Sequence, residues 1–353
     1  MRVLHVINSL ATGGAERLVV DLAVASRQRG HETRVLTIND SPGVPRQYAQ
    51  DHEVDVVTAG LRLRDPRIIP RLRRESAAVD MVHVHLFPAL YWAASLKTPK
   101  VFTEHSTWNR RMGDPRLRVV EGRVYSSYDA VAAISDGVKD ALRKHLSHLA
   151  DPPPIAVVPN GIRSEFFDKA RVRKPREHER DPLNIVSVCS LTDVKNIHLA
   201  IRTLAVLPHA TLRIAGEGPL RGELQALIDE LGLRGKVRLL GAVADVPSLL
   251  ASADLFLSTS RWEGFGLSIA EALATGLPVV GPRVSGVQEV VSEGDDGLLF
   301  AGDSVGAVAD SIARIARSPS YSAMSRAAIR NSGRFSIDTC AAGYEELYNE
   351  VLG

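Results

Sequence analysis

Short apolar runs alternate with helix-period segments almost from the first residue, and no other feature restricts the fold of this chain as tightly. RVLHVI, ETRVLTI, VDMVHVH, KVFTEH and DAVAAIS read as strands, and AERLVVDLAVASRQRG reads as a helix closed by Gly30. Strands separated by helices pair in parallel, because each crossover returns the chain to the same end of the sheet. The pattern breaks between Asp151 and Asp181, in a stretch rich in proline and charge, and restarts at Leu183 with LNIVSVCSL. ATLRIAG, KVRLLG, DLFLSTS, PVVGP and GLLF then supply strands, with helices through ELQALIDELG, VPSLLASA and SIAEALATG. The expected class is α/β, with two Rossmann-like doubly wound domains. The tail from Phe335 reads as an amphipathic helix with Tyr344, Leu347, Tyr348 and Val351 on one face, and such a helix needs a surface to cover.

The length of 353 residues suits two cores, and 45% hydrophobic with 24% charged residues is the composition of a folded globular chain. Cys189 and Cys340 lie far apart, with neither CxxC spacing nor a histidine cluster nearby, so no disulfide framework or zinc site is expected. The opening segment lacks the apolar core of a signal peptide, and no apolar run is long enough to span a bilayer. The expected location is cytoplasmic.

The net charge of +2 divides unevenly, with 23 Lys+Arg against 17 Asp+Glu in residues 1–163 and 20 against 24 in the remainder. Six arginines fall between Leu61 and Arg74, interleaved with Leu and Ile. They form either a solvated arginine-rich helix or a surface for anionic lipid head groups or an anionic acceptor, where each basic residue near an anionic membrane contributes about 1 kcal/mol. Nucleic acid is not an expected partner, because the chain is near neutral and carries no nucleic-acid motif.

Two segments carry chemistry. Gly13 and Gly14 follow the first strand and Ala15 begins a helix, a place where a ligand can approach the backbone and an anion meets free N–H groups. The spacing is not GxGxxG, so a dinucleotide fingerprint is absent. In STSRWEGFGLSIAEALATGLPVVGP, a strand is expected to end near Ser260, and a turn holds Glu263, Gly264, Phe265 and Gly266. A helix then starts near Leu267 or Ser268, so the amides of Gly266, Leu267 and Ser268 are placed for a diphosphate. Glu271, expected in the first turn of that helix, joins Glu263 as a second carboxylate beside an anion site. That arrangement suits a ligand bearing hydroxyls, as sugars and ribose do.

EGFGLSIAEALATGLPVVG resembles the Glu-x7-Glu segment of the retaining glycosyltransferases of family 4, which have the GT-B fold. The resemblance extends over nearly the whole chain, through GGAERL, TEHS (Thr103 to Ser106), VVPNGI, SLTDVKN (Ser190 to Asn196), GAVADV and DDGLLF. It implies two domains facing across a cleft, 1–165 plus 335–353 on the acceptor side and 166–334 on the donor side, with the C-terminal helix crossing back.

It also implies roles. Glu271 binds ribose hydroxyls and Glu263 the donor sugar, with Phe265 and the amides of Gly266, Leu267 and Ser268 at the sugar and diphosphate. Lys195 is the diphosphate lysine, Gly13 and Gly14 close on the diphosphate from the first domain, and Val243 lies beside the base. His105 orients the transferred sugar, and Trp108, Asn109, Arg110 and Arg111 border the acceptor. The family commonly carries arginine five residues before the lysine. Here that position is Ser190, with Arg261 or Arg17 as candidate replacements.

The reaction so implied is transfer from a nucleoside diphosphate sugar, with UDP as the expected nucleotide, to a hydroxyl acceptor. Attack is on the front face, and no metal or other cofactor is needed. A lipid-linked or cell-envelope glycan is the expected acceptor. A soluble natural-product acceptor, a nucleotide-sugar 2-epimerase or phosphorylase, and a non-catalytic nucleotide-sugar binder stay open as alternatives.

Overall fold

The structure, a computed structural model, describes residues 1–11, 13–107, 114–173, 182–317 and 319–353. It divides into two units, Met1–Gly161 with Ile337–Gly353, and Ile162–Ser336.

The first unit is built on seven parallel strands: β1 (Arg2–Ile7), β2 (Glu32–Thr37), β3 (Asp55–Thr58), β4 (Met81–His85), β5 (Lys100–Glu104), β6 (Ala130–Ala133) and β7 (Ile155–Val157). Their order is β3-β2-β1-β4-β5-β6-β7. The central strands β1, β4 and β5 are buried almost throughout, as sheets covered on both faces require. The direction in which successive strands are added reverses between β1 and β4. At such a switch point the loops leaving the C-terminal ends diverge and open a crevice. The helix Gly14–Gln28 leaves β1 there, and His105 follows β5.

The C-terminal helix Ile337–Leu352 belongs to this unit. Its Tyr344, Leu347 and Tyr348 are buried in a core shared with Leu18, Leu22 and Ala25 of the helix Gly14–Gln28, with Val351 packed at the edge. Each fully buried side chain of this size contributes about 1.5–3 kcal/mol, which explains why the tail folds back on the unit.

The second unit holds six parallel strands: β8 (Leu183–Val188), β9 (Ala210–Ala215), β10 (Val237–Gly241), β11 (Leu255–Leu257), β12 (Val279–Pro282) and β13 (Gly297–Phe300). The order β10-β9-β8-β11-β12-β13 puts its switch point between β8 and β11.

Three local expectations are corrected. β11 ends at Leu257 rather than near Ser260, because Thr259 turns away to bond the loop after β8. Glu271 is the fifth residue of the helix Leu267–Ala274, hence in its second turn, and is 5% exposed. Only the end of the arginine-rich stretch is helical, over Ile68–Ser76, because Asp65 bonds Arg67 in a turn ahead of it. Among the described residues, no helix is long and apolar enough to cross a membrane.

Candidate active site

Lys195 ends a single helical turn, Asp193–Lys195, just past β8. Asn196 follows in the left-handed conformation (φ 47°), which an asparagine tolerates better than most residues but which needs support. The loop after β11 supplies it. Thr259 Oγ1 donates to the carbonyls of Lys195 and Asn196 at 3.0 Å, and the Arg261 amide donates to the Val194 carbonyl at 2.8 Å. Because β8 and β11 are neighbours, two loops distant in sequence become one rigid platform.

On that platform the Lys195 ammonium donates to Glu263 Oε1 at 2.6 Å, and the Ser260 hydroxyl donates to the same oxygen at 2.7 Å. The two charged side chains are 22% and 13% exposed, so the pair is sheltered yet open to a ligand. Glu263 is seated by close backbone approach to Gly286, where a Cβ would lie 2.6 Å from the Glu263 carbonyl oxygen. Gly266 has φ 86° and caps the helix Leu267–Ala274, a conformation that glycine adopts without strain. The amides of Leu267 and Ser268 then have no carbonyl within the helix to bond. Ser268 lines one small recess with Lys195, Glu263 and Cys189. Burial pushes the Cys189 thiol up to about 12, which leaves it neutral and unsuited to nucleophilic work.

The remaining sequence candidates in this unit divide. Phe265 is buried edge-on against Phe335 at 5.2 Å, so its side chain belongs to the packing under the turn. Val243 is half-buried in the turn after β10. Ser190 is exposed, with its hydroxyl 3.5 Å from that of Thr192. Arg261 faces Asp303 at 3.6 Å, on an exposed edge, and Arg17 belongs to the first unit.

In the first unit, Gly13 is the extended N-cap and Gly14 the first residue of the helix Gly14–Gln28. His105 is half-buried past β5, its Nε2 3.4 Å from His85 Nδ1. Burial lowers the His105 pKa to about 4, so the imidazole is neutral near pH 7 and offers hydrogen bonds rather than charge. Trp108, Asn109, Arg110 and Arg111 lie outside the described residues.

Sequence reasoning missed Ser260, Thr259 and Gly286, which hold the pair in place, and the histidines His5, His83 and His85 behind His105. The only sequence signal for the first group was the Ser-x-x-Glu spacing of Ser260 to Glu263. For the second it was the HVH alternation, which puts two imidazoles on one strand face.

Residues 168–334 match the family described as Glycosyl transferases group 1, and residues 12–166 match Glycosyltransferase Family 4. The D-inositol 3-phosphate glycosyltransferase of Mycobacterium bovis (strain BCG / Pasteur 1173P2) is 31% identical over 307 residues, which are 79% of this chain. The chain spans 63% of that relative's length. Among solved structures, Anabaena HepE in complex with UDP and glucose matches with a TM-score of 0.85 at 23% identity, over 99% of this chain and 100% of that one. A glycosyltransferase from Rickettsia africae ESF-5 matches with a TM-score of 0.82 at 20% identity, over 99% and 98%. The two Rossmann-like units have the GT-B fold.

Proposed function

The chain belongs to glycosyltransferase family 4, and on that premise we propose that it moves a sugar from a UDP-sugar to a hydroxyl acceptor with retention of anomeric configuration. The observation that carries this reading is the Lys195–Glu263 pair beside the open N-terminus of the helix Leu267–Ala274. An ammonium and free amides suit a diphosphate, and a carboxylate a short distance away suits sugar hydroxyls. UDP is preferred as the nucleotide because HepE, which shares the fold, is described in complex with UDP and glucose.

When donor binds, Lys195 exchanges Glu263 for the diphosphate, and Glu263, still held by Ser260, accepts from the sugar. Glu271 accepts from the ribose. The bond from the anomeric carbon to the phosphate oxygen breaks while the acceptor oxygen bonds the anomeric carbon from the same face. The acceptor's proton passes to the departing phosphate oxygen. Lys195 and the amides of Gly266, Leu267 and Ser268 stabilise the charge growing on UDP, so the step needs no metal ion. Gly13, Gly14 and neutral His105 are assigned to the same donor, His105 as an orienting group.

The acceptor is read as a lipid-linked or cell-envelope glycan, supported by exposed Arg62, Arg64 and Arg73, which suit an anionic surface. A soluble phosphorylated polyol is a second reading, favoured by the name of the Mycobacterium bovis relative. The test supplies a UDP-sugar with each acceptor class in EDTA and reads UDP release and the anomeric coupling of the product by NMR. A retained anomer at a rate that EDTA leaves unchanged is expected. Inversion, a rate that Mg²⁺ restores, or a 2-epimer formed from donor alone contradicts the proposal.

A further inference from the structure

β1 and β4 pair with His5 opposite His83, and His85 lies two residues on, so three imidazoles share one face of adjacent strands. All three are fully buried, and their nitrogens lie within 4.8 Å of one another. His83 is already satisfied, with Nδ1 2.6 Å from the Tyr348 hydroxyl and Nε2 2.6 Å from the Thr103 hydroxyl. Thr103 in turn meets the Tyr344 hydroxyl at 3.0 Å. With both His83 nitrogens engaged, the other histidines make a row rather than a metal-ligand set. His5 Nδ1 lies 3.4 Å from His85 Nε2, and His85 Nδ1 lies 3.4 Å from His105 Nε2. The row ends at His5 Nε2, which is buried without a partner.

Burial lowers the pKa of every imidazole in the row, so each carries one N–H and one lone pair near pH 7. In such a row the direction of one hydrogen bond dictates the next. The unpartnered end decides the direction, because a buried N–H without an acceptor is rarer in folded proteins than an acceptor lone pair left unmet. The His5 proton therefore sits on Nδ1 and is donated to His85 Nε2. His85 then carries its proton on Nδ1 and donates it to His105 Nε2. His105 is left with its proton on Nδ1.

We infer that His5 and His85 are positioning residues which fix the tautomer of His105, so that His105 presents an Nδ1–H donor to an oxygen of the transferred sugar. The sugar contact rests on the proposed function, whereas the tautomer is a property of the resting protein and is measured without turnover. The two readings therefore fail separately.

The test is ring-nitrogen NMR of the full chain labelled with ¹⁵N-histidine near pH 7, with the His105 signals identified by their loss in His105→Asn. The expected spectrum has His105 protonated at Nδ1 and bare at Nε2. In His85→Leu the proton moves toward Nε2, the position that free imidazole favours. In His85→Asn, whose amide donates where the ring N–H did, it stays on Nδ1. For turnover, His85→Leu lowers kcat about tenfold, the cost of one misdirected hydrogen bond, with the Kd for UDP unchanged. His85→Asn recovers most of that loss. His105 protonated at Nε2 in the unaltered protein, or a tautomer that His85→Leu leaves in place, overturns the inference. If His85→Leu does not fold, the spectrum of the unaltered protein decides alone.

Discussion

Replacing Lys195 by alanine separates a catalytic lysine from a structural one. In the resting protein Glu263 keeps the Ser260 hydroxyl at 2.7 Å, so its carboxylate is not stranded when the ammonium is removed. The pair is 22% and 13% exposed, between a surface ion pair and a buried one. Its loss should cost about 1 kcal/mol of stability and lower the melting temperature by about 2–4 °C. The catalytic effect should be much larger. Two unit charges about 4 Å apart interact by about 4 kcal/mol at an effective dielectric near 20, and losing one preorganised partner of a developing anion costs about 10²–10³ in rate. UDP release from donor and acceptor, followed at saturating donor, gives kcat, and calorimetric melting gives stability. A Lys195→Ala protein that keeps a third or more of the parent kcat refutes the assignment of Lys195 to the leaving group. A melting temperature lowered by tens of degrees would instead make the lysine structural.

Gly286→Ala should lower kcat by about tenfold or more in a protein that still folds. The added Cβ lies 2.6 Å from the Glu263 carbonyl oxygen and 2.8 Å from the Gly264 carbonyl carbon, so backbone must move, and such overpacking costs about 1–3 kcal/mol. A kcat within twofold of the parent would show that the seat of Glu263 is tolerant. The histidine row predicts acid sensitivity of the first unit. His5 and His105 are held down to about 4 by burial, against an ordinary value of 6.5. The unfolded chain therefore binds more protons between those values. Stability is complete above pH 6.5 and falls as the pH drops toward 4, by about 1.4 kcal/mol per pH unit for each imidazole. Melting curves should fall steeply between pH 6.5 and 5 and lie flat above, and a flat profile through pH 5 would contradict neutral burial.

The six strands of the second sheet and five of the seven in the first were legible from their apolar runs, because a parallel strand covered on two faces must be apolar nearly throughout. β3 and β7 are short edge strands that were missed, and β7 lies inside the stretch read as the break between domains. The helix starts at Gly14 and Leu267 were legible to within one residue from glycine placement. What escaped depends on strand order. Lys195 and Glu263 are 68 residues apart and meet only because β8 and β11 lie side by side at the switch point. Gly286 matters through a backbone approach that no local pattern announces. Glu271 was placed a turn too early, although it lies four residues past the legible start at Leu267. His5 joins His85 only through the pairing of β1 with β4.

The central claim is that the second unit binds a nucleoside diphosphate through the helix at Leu267 and the buried carboxylate of Glu271. Calorimetric titration of UDP into the protein in EDTA, beside Glu271→Ala, tests it most directly. One UDP should bind per chain without metal. Glu271→Ala should weaken binding about tenfold or more, as the loss of hydrogen bonds to a buried carboxylate requires. No binding of UDP, or equal affinity in the two proteins, would contradict the account.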